Sequence, residues 1–145
     1  MKHILVPLDL SPISERTASS GAHLAKALQA TLWLIHVAAP EPDFVGLRTG
    51  PEHVRAHRAE TLRQEHRVLQ NMADALKKEG IDARALLVQG PTTETILEEA
   101  TRLNADMIVM GSHGKGGLMK ALVGSVTKEV LARAVVPVLI VPYRS

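Results

Sequence analysis

Five short apolar runs alternate along this chain with stretches whose apolar residues recur at helical spacing. The runs are His3 to Leu8, Thr31 to Val37, Ile81 to Val88, Asp106 to Met110 and Pro137 to Val141. Strands separated by helices predict a parallel sheet with helices on both of its faces. Right-handed crossovers leave few strand orders. Periodicity does not separate the two relevant ones, 2-1-3-4-5 and 3-2-1-4-5. The chain has 145 residues, 46% of them apolar and 22% charged, which suits one α/β domain over 1–145 with a proper core.

Within that pattern, Ser11-Pro12 is a helix-start signal, a capping hydroxyl followed by proline at the first helical position. Ile13, Ala18, Ala22, Ala25 and Leu28 follow on one face. An irregular loop from Ala39 to Gly50 precedes a long helix beginning at Pro51 and stopped by Gly80. Leu62, Leu69 and Leu76 recur every seven residues in it, with Val54, Met72 and Ala73 filling the face, as in a helix packed on a sheet. Ile81, Ala83 and Ala85 alternate with Asp82 and Arg84, as in a half-exposed edge strand. A third helix turns Ile96, Ala100 and Leu103 inward and ends at Asn104-Ala105. Val126, Val130, Leu131 and Ala134 mark a fourth. Pro7 conflicts with a central strand unless the ladder is already ending there.

The stretch most suited to chemistry runs from Val109 to Thr127. The fourth apolar run ends at Gly111, Gly114 follows three positions on, and Gly124-Ser125 lies ten further, where an amphipathic helix opens. Glycine lets backbone N–H groups approach a ligand. A helix start has unpaired N–H groups and partial positive charge. Together these suit nucleotide phosphates. Lys115 and Lys120 lie where they would neutralise phosphate charge or simply be solvated. Gly116-Gly117 read equally as turn residues.

The spacing Gly-x2-Gly-x9-Gly-Ser resembles the nucleotide signature of the ATP-binding branch of the universal stress proteins. The resemblance extends to Ile4-Leu5-Val6-Pro7-Leu8-Asp9-Leu10-Ser11, Val88-Gln89-Gly90, Val123-Gly124-Ser125-Val126 and Pro137-Val138-Leu139-Ile140-Val141, and so to essentially the whole chain. It implies an adenine-nucleotide-hydrolase-like, Rossmann-type sandwich of order 3-2-1-4-5 with two helices on each face. In that order Asp9 and Met110-Gly111 meet at the switch point where ligands bind. The resemblance implies that Pro7, Leu8, Asp9, Val37 and Ala38 hold adenine and ribose. Met110, Gly111, Ser112, His113 and Gly114 would line the phosphates, with Gly124, Ser125, Val126 and Thr127 opposite. ATP with Mg²⁺ or Mn²⁺ is the implied ligand.

Each residue also has a plainer role. Asp9 could cap the following helix, Ser125 could be an N-cap, and His113 could be a surface histidine. Gly124→Val is expected to put a side chain where phosphate would sit. His53 and His57 are four apart on a helix, a weak metal signal. His3, His23, His36 and His66 form no cluster that spacing establishes.

Other classes have less support. A net charge of +2 without a basic stripe, and only Trp33, Phe44 and Tyr143 as aromatics, argue against nucleic acid. No apolar stretch approaches the ~18 residues of a membrane span. The chain begins at once with a strand and has no cysteine, which fits the cytoplasm. P-loop, dinucleotide and hydrolase-elbow motifs are absent. The apolar run 137–141 would be a sheet edge, so a homodimer through it is expected. Three functions follow: an ATP-binding regulatory stress protein, a slow ATPase or phosphotransferase, and a nucleotide-free dimeric interaction module.

Overall fold

The computed structural model describes residues 1–39, 52–113 and 123–143, apart from the side chain of His53. Strands β1 (His3–Pro7), β2 (Thr31–Ala38), β3 (Ala83–Gln89), β4 (Met107–Gly111) and β5 (Val138–Val141) alternate with helices α1 (Ser14–Leu28), α2 (Glu52–Lys78), α3 (Thr92–Arg102) and α4 (Ser125–Arg133). All pairings are parallel, and the order is β3-β2-β1-β4-β5. The sheet therefore reverses direction of growth between β1 and β4.

Two apolar clusters fill the two faces, because successive strand residues point to opposite sides. On one face Ile4, Val6, Leu32, Leu34 and Val109 pack with Ala18, Ala22 and Ala25 of α1 and with Leu69 and Ala73 of α2. On the other, Leu5, Ile35, Ile108 and Met110 pack with Ile96 and Ala100 of α3 and Val130 of α4. Two helices thus cover each face. The heptad spacing of α2 serves a sheet-packed face centred on Leu69. On α1, small residues permit close approach: a Cβ added to Gly21 would lie 2.7 Å from Val6 Cγ2.

Pro7 ends β1, and its conflict with a central position is resolved by the ladder. The Leu8 N–H bonds to Ile35 O on β2 at 2.8 Å. Alternate N–H groups point to opposite neighbours, so position 7 faces β4. The β1–β4 register runs through Ile4↔Met107 and Leu5↔Ile108 and has stopped by then.

The start of α1 differs from the expectation. Ser11 and Pro12 lie in a turn, the helix starts at Ser14, and its N-cap position, Ile13, makes no side-chain cap. The reason is a carboxylate: Asp9 Oδ1 accepts the Ser11 N–H at 3.0 Å and the Ser14 hydroxyl at 3.3 Å, organising the turn itself. Leu28 also differs, being exposed where the helix ends in a left-handed Gln29. Strand β3 begins two residues later than Ile81. It and β5 are the two sheet edges. Pro51 and most of the 39–50 loop lie outside the described residues.

Candidate nucleotide site

The ends of β1 and β4 open side by side, because these strands are paired and their continuations cross to opposite flanks of the sheet. On the β1 side, Asp9 anchors the turn just described. Leu10 follows with φ 61°, a left-handed conformation that L side chains adopt only at a cost. Ser11 is buried, and its hydroxyl oxygen has no hydrogen-bond partner. Neither Leu10 nor Ser11 was legible as a site residue. Strain and an unsatisfied buried polar atom, adjacent to one carboxylate, are what a ligand-binding turn retains.

On the β4 side, three contacts hold the backbone. Ser112 N–H donates to Val141 O at 2.8 Å, Gly124 N–H to Ser112 O at 2.5 Å, and the Thr127 hydroxyl to Gly111 O at 2.9 Å. Gly124 is the N-cap position of α4 and has no side-chain cap. The first bond along the helix is Lys128 N–H to Gly124 O at 3.0 Å. The N–H groups of Ser125, Val126 and Thr127 precede that bond and carry the positive end of the helix dipole. Ser125 is exposed, Val126 half-buried and Thr127 buried.

The glycines have a steric purpose that spacing did not reveal. A Cβ on Gly111 would lie 3.1 Å from both Ile13 Cδ1 and Thr17 Oγ1. One on Gly124 would lie 3.2 Å from His113 Cα and 3.6 Å from Ser112 O. Gly111 therefore lets the start of α1 close on β4, and Gly124 lets α4 close on the Ser112–His113 backbone. Gly124→Val would therefore meet the protein's own Ser112–His113 backbone in addition to any phosphate.

His113 is buried, so it is no surface histidine. Its Nδ1 lies 3.2 Å from Ser112 Oγ, which accepts the Tyr143 N–H at 3.0 Å, and its ring meets the Tyr143 ring edge-on at 5.1 Å. Val37 and Ala38 end β2 beside β1; Ala38 O accepts the Gly90 N–H at 3.1 Å. Met110 is buried on the α3–α4 face. Gly114, Lys115, Gly116, Gly117 and Lys120 lie outside the described residues. His36, which spacing left without a partner, is buried between Leu8 O and Glu65, each 2.8 Å from a ring nitrogen.

Two carboxylates away from this mouth are held in the ionised form. The backbone N–H groups of Lys2 and His3 hold the Asp106 carboxyl below the usual range. Arg84, then Thr31, do the same for Asp82. An apolar recess of about 300 Å³ between α3 and the α4–β5 turn, lined by Leu97, Ile108 and Val136, opens at the opposite strand ends. Its lining suits hydrocarbon better than phosphate.

The universal stress protein family model matches residues 1–142. The chain belongs to the universal stress protein family. Among curated universal stress proteins, one from Thermus aquaticus is 36% identical over 97% of this chain and 98% of its own length. Another, YxiE of Bacillus subtilis, is 31% identical over 95% and 97%. The solved structure of protein MJ0577 superposes with a TM-score of 0.82 at 28% identity, covering 99% of this chain and 97% of that one. MJ0577 is a universal stress protein of Methanocaldococcus jannaschii. Two further solved members share the fold. One, in complex with cAMP, has a TM-score of 0.72 at 24% identity over 97% and 96%. The other, from Archaeoglobus fulgidus and in complex with dAMP, has 0.67 at 22% over 97% of each chain. Among the described residues no helix of this universal stress protein is long and apolar enough to cross a membrane.

Proposed function

We propose that this universal stress protein binds ATP at the mouth between β1 and β4 and acts as a dimeric regulatory protein whose output is conformational. The supporting observation is the start of α4. It has no side-chain cap, it lies against the Ser112–His113 backbone, and its first-turn amides are donors for phosphate oxygens. The relatives solved with cAMP and dAMP favour adenine as the base.

In this reading Ser125, Val126 and Thr127 offer N–H groups to the phosphates. The Ser112–His113 backbone completes that wall, the Thr127 hydroxyl braces it through Gly111 O, and the family resemblance assigns Gly114 to the phosphates as well. Asp9 accepts from ribose hydroxyls, Pro7, Leu8, Val37 and Ala38 flank the base, and Met110 stands with Gly111 on the phosphate side. Mg²⁺ or Mn²⁺, when bound, supplies neutralising charge to the triphosphate. Among the described residues no three His, Asp or Glu side chains form a metal cluster. Phosphate oxygens and water would hold such an ion, and Asp9 is the carboxylate of the turn that would face it. Denaturing the purified protein and weighing any released small molecule tests the proposal. An adenine nucleotide is expected, and none after incubation with ATP would reject it.

The dimer is assigned to β5. This edge strand exposes Leu139, and beside it Leu131 and Val135 are exposed, Val135 at 94%. An apolar edge of this kind invites a second copy about a two-fold axis. Sedimentation at micromolar concentration should give a dimer; a monomer would overturn this. The cytoplasm remains the expected location.

Two rival readings each have one observation in favour. Slow hydrolysis or phosphate transfer is favoured by the Ser112–His113 pair buried beside the phosphate wall. It requires that His113→Ala abolish phosphate release while ATP binding survives. A nucleotide-free interaction module is favoured by the steric need for Gly111 and Gly124, which accounts for both without a ligand. It requires that ATP, ADP and AMP give no heat on titration.

A further inference from the structure

The polar contacts of His36 are not explained by packing alone. It lies on β2, one residue before Val37, and is buried. Nδ1 is 2.8 Å from Leu8 O, and Nε2 is 2.8 Å from Glu65 Oε2 on α2. A carbonyl oxygen only accepts, so Nδ1 carries a hydrogen and donates it. The Nε2–Glu65 contact then needs one more hydrogen, either on Nε2 facing a carboxylate or on Glu65 facing a ring lone pair. In both cases the pair holds one proton more than neutral histidine with ionised glutamate.

The surroundings show what this contact holds. Leu8 is fixed on β2 twice, through its N–H to Ile35 O and its carbonyl to His36. The next residue is Asp9, whose Oδ1 is occupied by Ser11 and Ser14. Two turns before Glu65 on the same helix, Arg58 donates to Ala39 O, at the end of β2. From β3, the register places apolar Leu87 opposite His36. Among the described residues, the charged groups tied to the clamp and its neighbours are Glu65 and Arg58 from α2 and Asp9 from the β1 turn. Through Glu65 and Arg58, α2 grips the end of β1, which borders the mouth, and the end of β2 beside it.

We propose that His36 and Glu65 form a one-proton clamp that positions the Leu8–Asp9 end of β1 for the nucleotide and ties affinity there to the docking of α2. The inference rests on the nucleotide reading above. His36 is a positioning residue in it, acting through Leu8. A pair without the shared hydrogen sets two acceptors 2.8 Å apart against each other, which loosens Leu8 and with it Asp9.

Glu65→Gln separates the clamp from its proton. The glutamine amide donates to the Nε2 lone pair of neutral His36, keeping the geometry with no proton to lose. The experiment is calorimetric titration of the full chain with MgATP from about pH 6 to about pH 9. The wild-type protein should weaken by about tenfold more across that range than Glu65→Gln, a charge-assisted hydrogen bond being at stake. The variant also serves as the control for titration of ATP itself. Glu65→Ala should weaken binding several-fold at about pH 6 and approach the wild-type affinity at about pH 9. Identical pH profiles for wild type and Glu65→Gln, or unchanged affinity in Glu65→Ala at about pH 6, would remove the clamp from nucleotide binding. If the wild-type protein binds no ATP, the nucleotide reading fails. The clamp is then judged by nitrogen–proton spectra of the His36 ring. A second ring N–H signal, or a hydrogen-bonded Glu65 carboxyl proton, in wild type at about pH 6 and neither in Glu65→Gln supports it; one ring N–H and no carboxyl proton in wild type rejects it.

Discussion

The two sides of the mouth are built by different means. The β4 side is made of backbone: glycines that permit close approach, the Ser112 amide held by Val141 O, the Ser112 and Gly111 carbonyls held by Gly124 and Thr127, and the first-turn amides of α4. The β1 side is made of side chains that fix an otherwise unfavourable turn: Asp9 on Ser11 and Ser14, Leu10 with positive φ, and His36 with Glu65 behind Leu8. Backbone donors suit an anion whose charge is spread over many oxygens. Placed side chains suit a ligand part with few, directional groups, such as a ribose. The division matches the two ends of a nucleotide.

Substitutions should separate the sides. The largest effect is expected from Gly124→Val, whose Cβ would meet His113 Cα at 3.2 Å. Overpacking of this kind costs about 1–3 kcal/mol, and chemical denaturation should report it with or without nucleotide. An unchanged denaturation midpoint would show that the β4 side is looser than its contacts imply. Thr127→Val keeps the shape but leaves Gly111 O without its hydroxyl donor. About 1–2 kcal/mol of stability should be lost, again by denaturation.

On the β1 side, Asp9→Asn keeps an oxygen for Ser11 N–H and the Ser14 hydroxyl but removes the charge. Stability should change little, while ATP affinity falls several-fold, corresponding to about 1 kcal/mol. Equal affinity would reduce Asp9 to a cap. The smallest effect lies outside both sides. Asp106 is held low by the Lys2 and His3 amides, so its contribution to stability is present above the unfolded carboxylate pKa of about 3.9. It is lost as pH falls through the lower folded value. Asp106→Asn should flatten part of the acid limb of a melting-temperature profile and leave ATP affinity untouched. A change in affinity would mean that the two ends of the sheet are coupled.

The same division explains what could be read from sequence. The strands were legible to within two residues because each is a short apolar run, and the helices because their buried faces recur. The β4 side was legible as a spacing of glycines ending at a helix start. The reason for Gly111 and Gly124 was not, since it depends on Ile13, Thr17 and His113 arriving in space. The β1 side was largely hidden. Ser11-Pro12 imitates a helix start, and only the Asp9 contacts show the helix opening at Ser14. His36 and Glu65 are 29 residues apart on a strand and a helix, a separation no motif encodes. Gly21 gave no signal either, because its partner Val6 lies on another element.

The amides of α4 are where the account is most exposed. Ser125 is exposed in the first turn, so Ser125→Glu fits sterically and places a negative charge at the positive end of the helix. Calorimetric titration with MgATP of wild type and this variant, alongside their melting temperatures, tests the central claim. The expected result is ATP binding by the wild-type protein, and affinity at least about tenfold weaker in a variant whose melting temperature is unchanged or raised. Equal ATP affinity in the two proteins would contradict it.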